Sequence, residues 1–238
     1  ELAELCARGL FNLTCVDTSY MYVERVIKSF VTLATSSSDV KHICASGLCN
    51  LADLKELRPR LVEEGVVQCL MILAKGAESR TRRVCATILH SLALTQACRG
   101  EMISKGAINV LYSLSGDEDP TTLHYIASGI IYLAMETQNA TSKQKTLTRL
   151  INDKGVISLC NICMRCPTVS NTTVLCAAAL QLLSQHTIDA NAPQIVQEGC
   201  VPALVTLLRE SKDTDTLRHS LSALCNLLTS EDNHLSII

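Results

Sequence analysis

Apolar residues recur along this chain at helical rather than strand spacing. Val66, Leu70 and Leu73 mark one segment, and Ile43, Ala45, Leu48, Leu51 and Ala52 another, steps that predict amphipathic helices. The pattern is also periodic. A glycine follows a short amphipathic stretch and precedes a spaced apolar one in four places: Leu61 to Gly65 then Val66 to Leu73, Met102 to Gly106 then Ala107 to Leu114, Asn152 to Gly155 then Val156 to Cys163, and Ile195 to Gly199 then Cys200 to Leu207. These glycines stand 41, 49 and 44 residues apart. A second block occurs six times, at Cys6 to Leu13, Cys44 to Leu51, Cys85 to Leu92, Ile126 to Leu133, Cys176 to Leu183 and Ser220 to Leu227, with offsets of 38, 41, 41, 50 and 44. A period of roughly 40 to 47 residues is that of solenoid units built from two or three helices.

Each unit is predicted as short helix, glycine corner, long helix, loop, long helix. Ser38-Asp39, Asp119 before Pro120, Ser170-Asn171 and Asp213 to Asp215 supply side-chain oxygens where the last helix of a unit should start, and Pro202 suits a first turn. Gly65, Gly106, Gly155 and Gly199 are assigned to the corners. Gly9, Gly47 and Gly129 share one position in the last helix, where a missing side chain lets helices approach closely. The long interval of 50 places an insertion at Glu136 to Arg149, whose Thr, Asn, Gln, Lys and Ser content predicts a polar surface loop.

The last-helix blocks Cys6-Ala7-Arg8-Gly9-Leu10-Phe11-Asn12-Leu13, Cys44-Ala45-Ser46-Gly47-Leu48-Cys49-Asn50-Leu51 and Ser220-Leu221-Ser222-Ala223-Leu224-Cys225-Asn226-Leu227 carry an A-x-x-L-x-N-L-like signature. Together with the corner glycine, this resembles the armadillo repeat family of catenin-like and importin-α-like proteins, over nearly the whole chain. The resemblance implies an all-α, right-handed superhelical armadillo α-solenoid with three helices per repeat. It implies a third helix at 1–16, repeats at about 20–54, 55–96, 97–137, 144–188 and 189–230, and a stub at 231–238. We expect a single domain that is a fragment of a longer chain.

Composition narrows the function. The 238 residues are 47% hydrophobic, too apolar for a disordered chain, while the 10 Gly and 5 Pro are few for a turn-rich β sandwich. No uncharged apolar run approaches the ~18 residues of a membrane-spanning helix. Charge is nearly balanced, with 21 basic and 23 acidic residues, and aromatics are 3% with no Trp, which argues against nucleic acid as partner. No nucleophile-base pair, paired carboxylates or phosphate-binding loop stands out, so we expect no enzyme activity and no cofactor.

The 13 cysteines are an odd number, so one thiol must stay unpaired in any disulfide scheme, and a reduced intracellular, cytoplasmic setting is expected. Cys160-x-x-Cys163-x-x-Cys166 invites a zinc, iron-sulfur or redox site. The repeat offers a plainer account: aligned on Gly155, Cys160 and Cys163 fall where Leu70 and Leu73 fall, while Cys6, Cys44, Cys85 and Cys176 share one core position. Cysteine then acts as a small buried hydrophobe, no metal ligand is assigned, and Cys166 beside Pro167 is expected to be the exposed thiol.

Stacked units of this kind line an extended binding face with their third helices. Taking the asparagine position and the residues four and eight earlier gives one strip per unit. The strips are Glu4, Arg8 and Asn12; His42, Ser46 and Asn50; Arg83, Thr87 and Ser91; His124, Ser128 and Tyr132; Val174, Ala178 and Leu182; and Arg218, Ser222 and Asn226. In proteins resembling this one, such asparagines hold the main chain of a bound peptide; arginines here, supported by Lys41, Arg80 and Arg82, would favour acidic side chains. Tyr125 either joins Tyr132 in an aromatic contact or belongs to the core. The apolar strip at Val174 either anchors a partner or packs within a larger protein. The tryptophan that marks nuclear-import adaptors four residues before the groove asparagine is absent. The expected function is thus a scaffold or adaptor that binds an extended, partly acidic segment of a protein partner, without direct membrane insertion. The alternatives are a regulatory or ligand-sensing armadillo domain, contacting other domains of a larger enzyme or exchange factor, and a cysteine-based metal or redox protein.

Overall fold

A computed structural model describes residues 1–15, 23–36, 38–135, 140–185 and 192–229. All regular structure among them is helical: α1 Leu2–Thr14, α2 Val23–Ser36, α3 Lys41–Asp53, α4 Arg58–Glu63, α5 Val66–Ala74, α6 Ser79–Leu94, α7 Gln96–Ser104, α8 Ala107–Leu114, α9 Pro120–Ala134, α10 Ala140–Asn152, α11 Gly155–Arg165, α12 Ser170–Gln185, α13 Ala192–Gln197, α14 Cys200–Glu210 and α15 Thr214–Leu228. A 3-10 turn at Lys55–Leu57 leads into α4. The third helices of the expected units are α1, α3, α6, α9, α12 and α15. The chain divides into two compact units, Glu1–Tyr125 and Ile126–Ile238.

In the first unit the corner works as the glycine pattern predicts. Gly65 and Gly106 precede α5 and α8 in the left-handed conformation, with φ of 93° and 86°. Their amides return to the carbonyls of Val62 and Ile103, closing the preceding helix while the following one departs in a new direction. Leu61, Val62, Val66, Leu70 and Leu73 thereby reach one core, all fully buried. Lys105 bridges consecutive repeats within this unit by donating to the Val62 and Glu63 carbonyls, 2.7 Å each. Arginine closes the junctions between repeats. Arg58 Nε donates to Ala52 O at 2.8 Å and Arg99 Nε to Ala93 O at 2.7 Å, each reaching six residues back to the end of a third helix. Gly47 is required sterically, because a Cβ there would lie 2.6 Å from Phe30 Cζ; at Gly9 the same position is open, contrary to the shared role expected of the two.

In the second unit the corner before α14 repeats this geometry, with Gly199 at φ 90°. The corner before α11 does not. Lys154, at φ 68°, is the left-handed residue, and Gly155 begins the helix. One added residue has moved the glycine out of the corner. Counted from the left-handed position, Leu159 and Ile162 take the places of Leu70 and Leu73, so the alignment of Cys160 and Cys163 with those leucines is off by one.

The expected polar loop over Glu136 to Arg149 is also corrected. From Ala140 the chain is helical, and Leu147, Leu150 and Ile151 are buried along α10 at steps of three and one. The extra length extends the first helix of this unit to 13 residues, against 6 in α4 and α13. Polar composition misled because three well-spaced apolar residues suffice to seat a helix. Residues 136–139 and the stub at 231–238 lie outside the described residues.

Helix starts separate into two kinds. Asp119 Oδ2 accepts from Thr122 N at 2.9 Å ahead of α9, and Asp213 Oδ2 from Thr216 N at 2.7 Å ahead of α15, as expected of N-caps. Ser38 and Asp39 do not cap α3; its N-cap is Val40, without a side-chain hydrogen bond.

Candidate functional site

The third-helix faces of the first unit bring the predicted strips to the surface unequally. On α1, Arg8 and Asn12 are exposed, and Arg8 donates to Glu4 Oε1 from Nε at 3.1 Å and Nη2 at 2.8 Å. On α3, His42, Ser46 and Asn50 are half-buried. On α6, Arg83 is exposed and Thr87 half-buried, its hydroxyl donating to Arg83 O at 3.0 Å. Ser91 is buried, 8% exposed, and offers no contact surface. α9 begins in the first unit, where His124 is half-buried, and continues into the second, where Tyr132 is half-buried but Ser128 is 4% exposed and belongs to the packed side. A small hydroxyl at these two places lets neighbouring helices close over it, which a strip read along one helix does not reveal.

The supporting cations also divide. Arg82 is bound into the fold, pairing with Asp117 Oδ2 at 2.5 Å and donating to Ala77 O at 2.8 Å. Burial raises the Asp117 carboxyl, but bonds from the Asp119 amide, Arg82 and Ser79 outweigh it and hold the carboxyl below its usual range. Lys41 Nζ donates to the Lys75 carbonyl at 2.5 Å. Arg80 remains exposed, and with Arg8, Phe11, His42, Ile43 and Ser46 it lines an open cleft of about 290 Å³. The sequence places Phe11 and Ile43 in third helices, not on the binding strips. Their only signal is position, each one residue from a strip member. Burial chiefly, with help from the nearby Arg80 charge, holds His42 below the usual imidazole value.

Tyr125, left open between core and contact, is half-buried and stacks obliquely on His90, with ring centroids 5.2 Å apart. His124 meets the same ring edge-on at 6.0 Å. Sequence reasoning missed His90 because it lies 35 residues from Tyr125 and off the strip.

In the second unit, Val174, Ala178 and Leu182 are half-buried, Arg218 is exposed and paired with Asp215 at 2.8 Å, and Ser222 and Asn226 are half-buried. α12 packs along α15, bridged by Thr173 to Thr216 at 3.2 Å, Gln181 to His219, and Asn226 Nδ2 donating to Ser184 Oγ at 3.0 Å. The last of these has a counterpart in the first unit, where Asn50 Nδ2 donates to Thr14 Oγ1 at 3.2 Å. In both cases the hydroxyl in turn donates three residues back, Thr14 to Phe11 O and Ser184 to Gln181 O. Each asparagine amide is therefore held by the preceding third helix. No hydrogen bond within the described residues engages its carbonyl oxygen.

The cysteines follow packing. Cys160 and Cys163 are buried at 7% and 0% exposure, as are Cys44, Cys85 and Cys176. Cys166 is buried too, at 9%, while Cys6, Cys15 and Cys225 are exposed, which reverses the expectation for Cys166 and for Cys6. Burial pushes the Cys44 and Cys49 thiols up to about 11 and those of Cys69 and Cys85 up to about 12. Hydrogen bonding to Cys176 and burial raise Cys163 well above its ordinary value, and Cys160 does the same for Cys200. Among the described residues, no group of three or more His, Cys, Asp or Glu is arranged to hold a metal ion, and no helix is long and apolar enough to cross a membrane.

Residues 189–229, which hold α13 to α15, match the family of the armadillo/β-catenin-like repeat. Over 93% of this chain and 91% of the other, the backbone is similar to a designed armadillo repeat protein in complex with the peptide (KR)4, at a TM-score of 0.62 and 16% identity. The chain has the armadillo-repeat fold. A second designed armadillo repeat protein is similar over the same shares at TM-score 0.62 and 17% identity. A crystal structure of an engineered protein is similar over 94% of this chain and 91% of its own at TM-score 0.63 and 20% identity. No curated protein matches the sequence. The third helices of this fold carry the faces described above.

Proposed function

We propose that this armadillo chain is a non-enzymatic scaffold whose third-helix faces hold an extended, partly acidic segment of a protein partner. The observation that carries this reading is the pair of asparagines held alike in both units. Asn50 donates to Thr14 Oγ1 and to Cys15 Sγ, and Asn226 to Ser184 Oγ, so that each carbonyl oxygen, and on Asn226 a second amide hydrogen, faces a ligand. Each carboxamide so oriented can accept from one peptide N–H, and Asn226 can also donate to one peptide carbonyl. The side chain loses little further rotamer freedom on binding, which favours a weakly ordered peptide as ligand. The complex of a designed armadillo neighbour with a peptide supports the same mode of use. The basic groups here, Arg8, Arg83 and Arg218, set the preferred charge of the segment through charge-assisted bonds.

The test compares the wild-type chain with Asn50→Ala and Arg83→Glu in affinity purification from a lysate, with quantitative mass spectrometry. Proteins held by the wild type should fall at least tenfold with either variant while circular dichroism is unchanged. Equal recovery with both variants would sink the proposal.

A further inference from the structure

The cleft lined by α1, α3 and α6 carries an arrangement of charge that the fold does not need. The amino-terminal end of a helix is its positive end, so cations in the first turn are unfavourable there and acids favourable. Asp119 and Asp213 satisfy that rule at α9 and α15. α3 and α6 break it. Neither has an acid in its first turn or a side-chain cap, and they begin instead with Lys41-His42 and with Arg80 and Arg82. Lys41 and Arg82 are bound within the fold, to the Lys75 carbonyl and to Asp117. His42 and Arg80 line the cleft, opposite Arg8 on α1. Arg83 stands one turn further along α6, exposed.

The lining of the cleft itself holds Arg8, Arg80 and His42 and no carboxylate. Nearby, Glu4 is bound to Arg8, Glu78 sits at the N-cap of α6, and Asp119, which caps α9, faces Arg83, beside two helix ends that lack side-chain caps. His42, one of the lining residues, has its Nδ1 buried with no hydrogen-bond partner among the described residues. Phe11 and Ile43 give the same cleft an apolar lining. Its two halves therefore ask for different groups of one ligand, an anion and an adjoining hydrocarbon side chain.

We propose that this cleft is a specificity pocket that takes a carboxylate side chain of a protein partner between Arg8 and Arg80, with the neighbouring apolar side chain of that partner seated on Phe11 and Ile43. The proposal rests on the scaffold reading above and assigns to one place the acidic preference that reading leaves general. The carboxylate relieves the repulsion between the basic first turns and the helix ends, so charge and apolar contact act together.

Fluorescence anisotropy with labelled (Glu-Leu)4, (Ser-Leu)4 and (Lys-Arg)4 peptides, and with an eight-residue oligothymidylate, tests it. The acidic peptide should bind at least tenfold more tightly than the serine peptide, and the (Lys-Arg)4 peptide least well. Joint replacement Arg8→Glu and Arg80→Glu should abolish the difference, and the milder pair Arg8→Gln and Arg80→Gln should reduce it, with thermal melting as the check on folding. Equal binding of the acidic and serine peptides, indifference to both variant pairs, tighter binding of the oligonucleotide, or no peptide binding at all would each overturn the pocket. Where the acidic and serine peptides bind equally and Asn50→Ala weakens both, the pocket falls and the scaffold reading stands.

Discussion

At the scale of single residues, the fourth corner shows how much a one-residue insertion decides. Lys154 occupies the left-handed conformation that Gly65, Gly106 and Gly199 hold elsewhere. A residue with a Cβ loses roughly 1–2 kcal/mol there, while glycine returns about 0.4–1 kcal/mol through its freer unfolded state. Lys154→Gly should therefore stabilise the chain by roughly 0.5–1 kcal/mol. Gly155→Ala should do the opposite, because its Cβ would lie 2.6 Å from the Leu150 carbonyl oxygen, an overpacking that costs about 1–3 kcal/mol. Urea unfolding monitored by circular dichroism checks both through the midpoint at constant slope. A lower midpoint for Lys154→Gly would mean that residue 154 is not the left-handed corner, and a higher one for Gly155→Ala that the Leu150 carbonyl leaves room for a Cβ. The glycine was legible in the sequence, but its register was not, since a glycine on either side of a corner looks the same until the backbone is traced.

At the scale of helices, the side chains that join one third helix to the next carry a share of the stability that a sequence strip assigns wholly to binding. Asn226 and Ser184 form such a link between α15 and α12, backed by Ser184 donating to Gln181 O. A double-mutant cycle with Ser184→Ala and Asn226→Ala should give a coupling energy of about 1 kcal/mol in thermal or urea unfolding. A coupling near zero would show that the two side chains act independently and that Asn226 is held by something else. The strip correctly picked Asn50 and Asn226 as repeat equivalents, because the spacing of three and four residues is local. Their hydroxyl partners Thr14 and Ser184 stayed invisible, since each lies two residues off the strip on a helix 36 or 42 residues away. The same distance hid the true role of Arg82, whose partner Asp117 is 35 residues along the chain.

At the scale of the whole molecule, the cysteines report the packing of every unit at once. All 13 are free, and Cys6, Cys15 and Cys225 are the exposed ones. Thiolate is the reactive form, so burial and a raised pKa protect a cysteine twice over. Iodoacetamide at pH 7.5 should label these three rapidly in the native chain, with Cys49 slower, and all thirteen only after unfolding; peptide mass spectrometry reads the sites. Rapid native labelling of Cys163 or Cys176 would contradict the packed interior of the second unit. The sequence foresaw buried thiols at Cys44, Cys85 and Cys176 because the repeat places them beside leucines. It missed the exposure of Cys6 and the burial of Cys166, which depend on what lies against α1 and on how the chain leaves α11.

The helical period, the order of helices within a unit and three of the four corners follow from the amino-acid pattern, because each depends on neighbours within about a turn or on the dihedral freedom of glycine. The burial of Ser91 and Ser128, the commitment of Lys41 and Arg82 to the fold, and the meeting of Phe11, His42, Ile43 and Arg80 in one cleft were settled by tertiary structure. Those features join residues roughly one repeat apart, and the contacts made at that distance are set by how helices stack rather than by the spacing within any one of them.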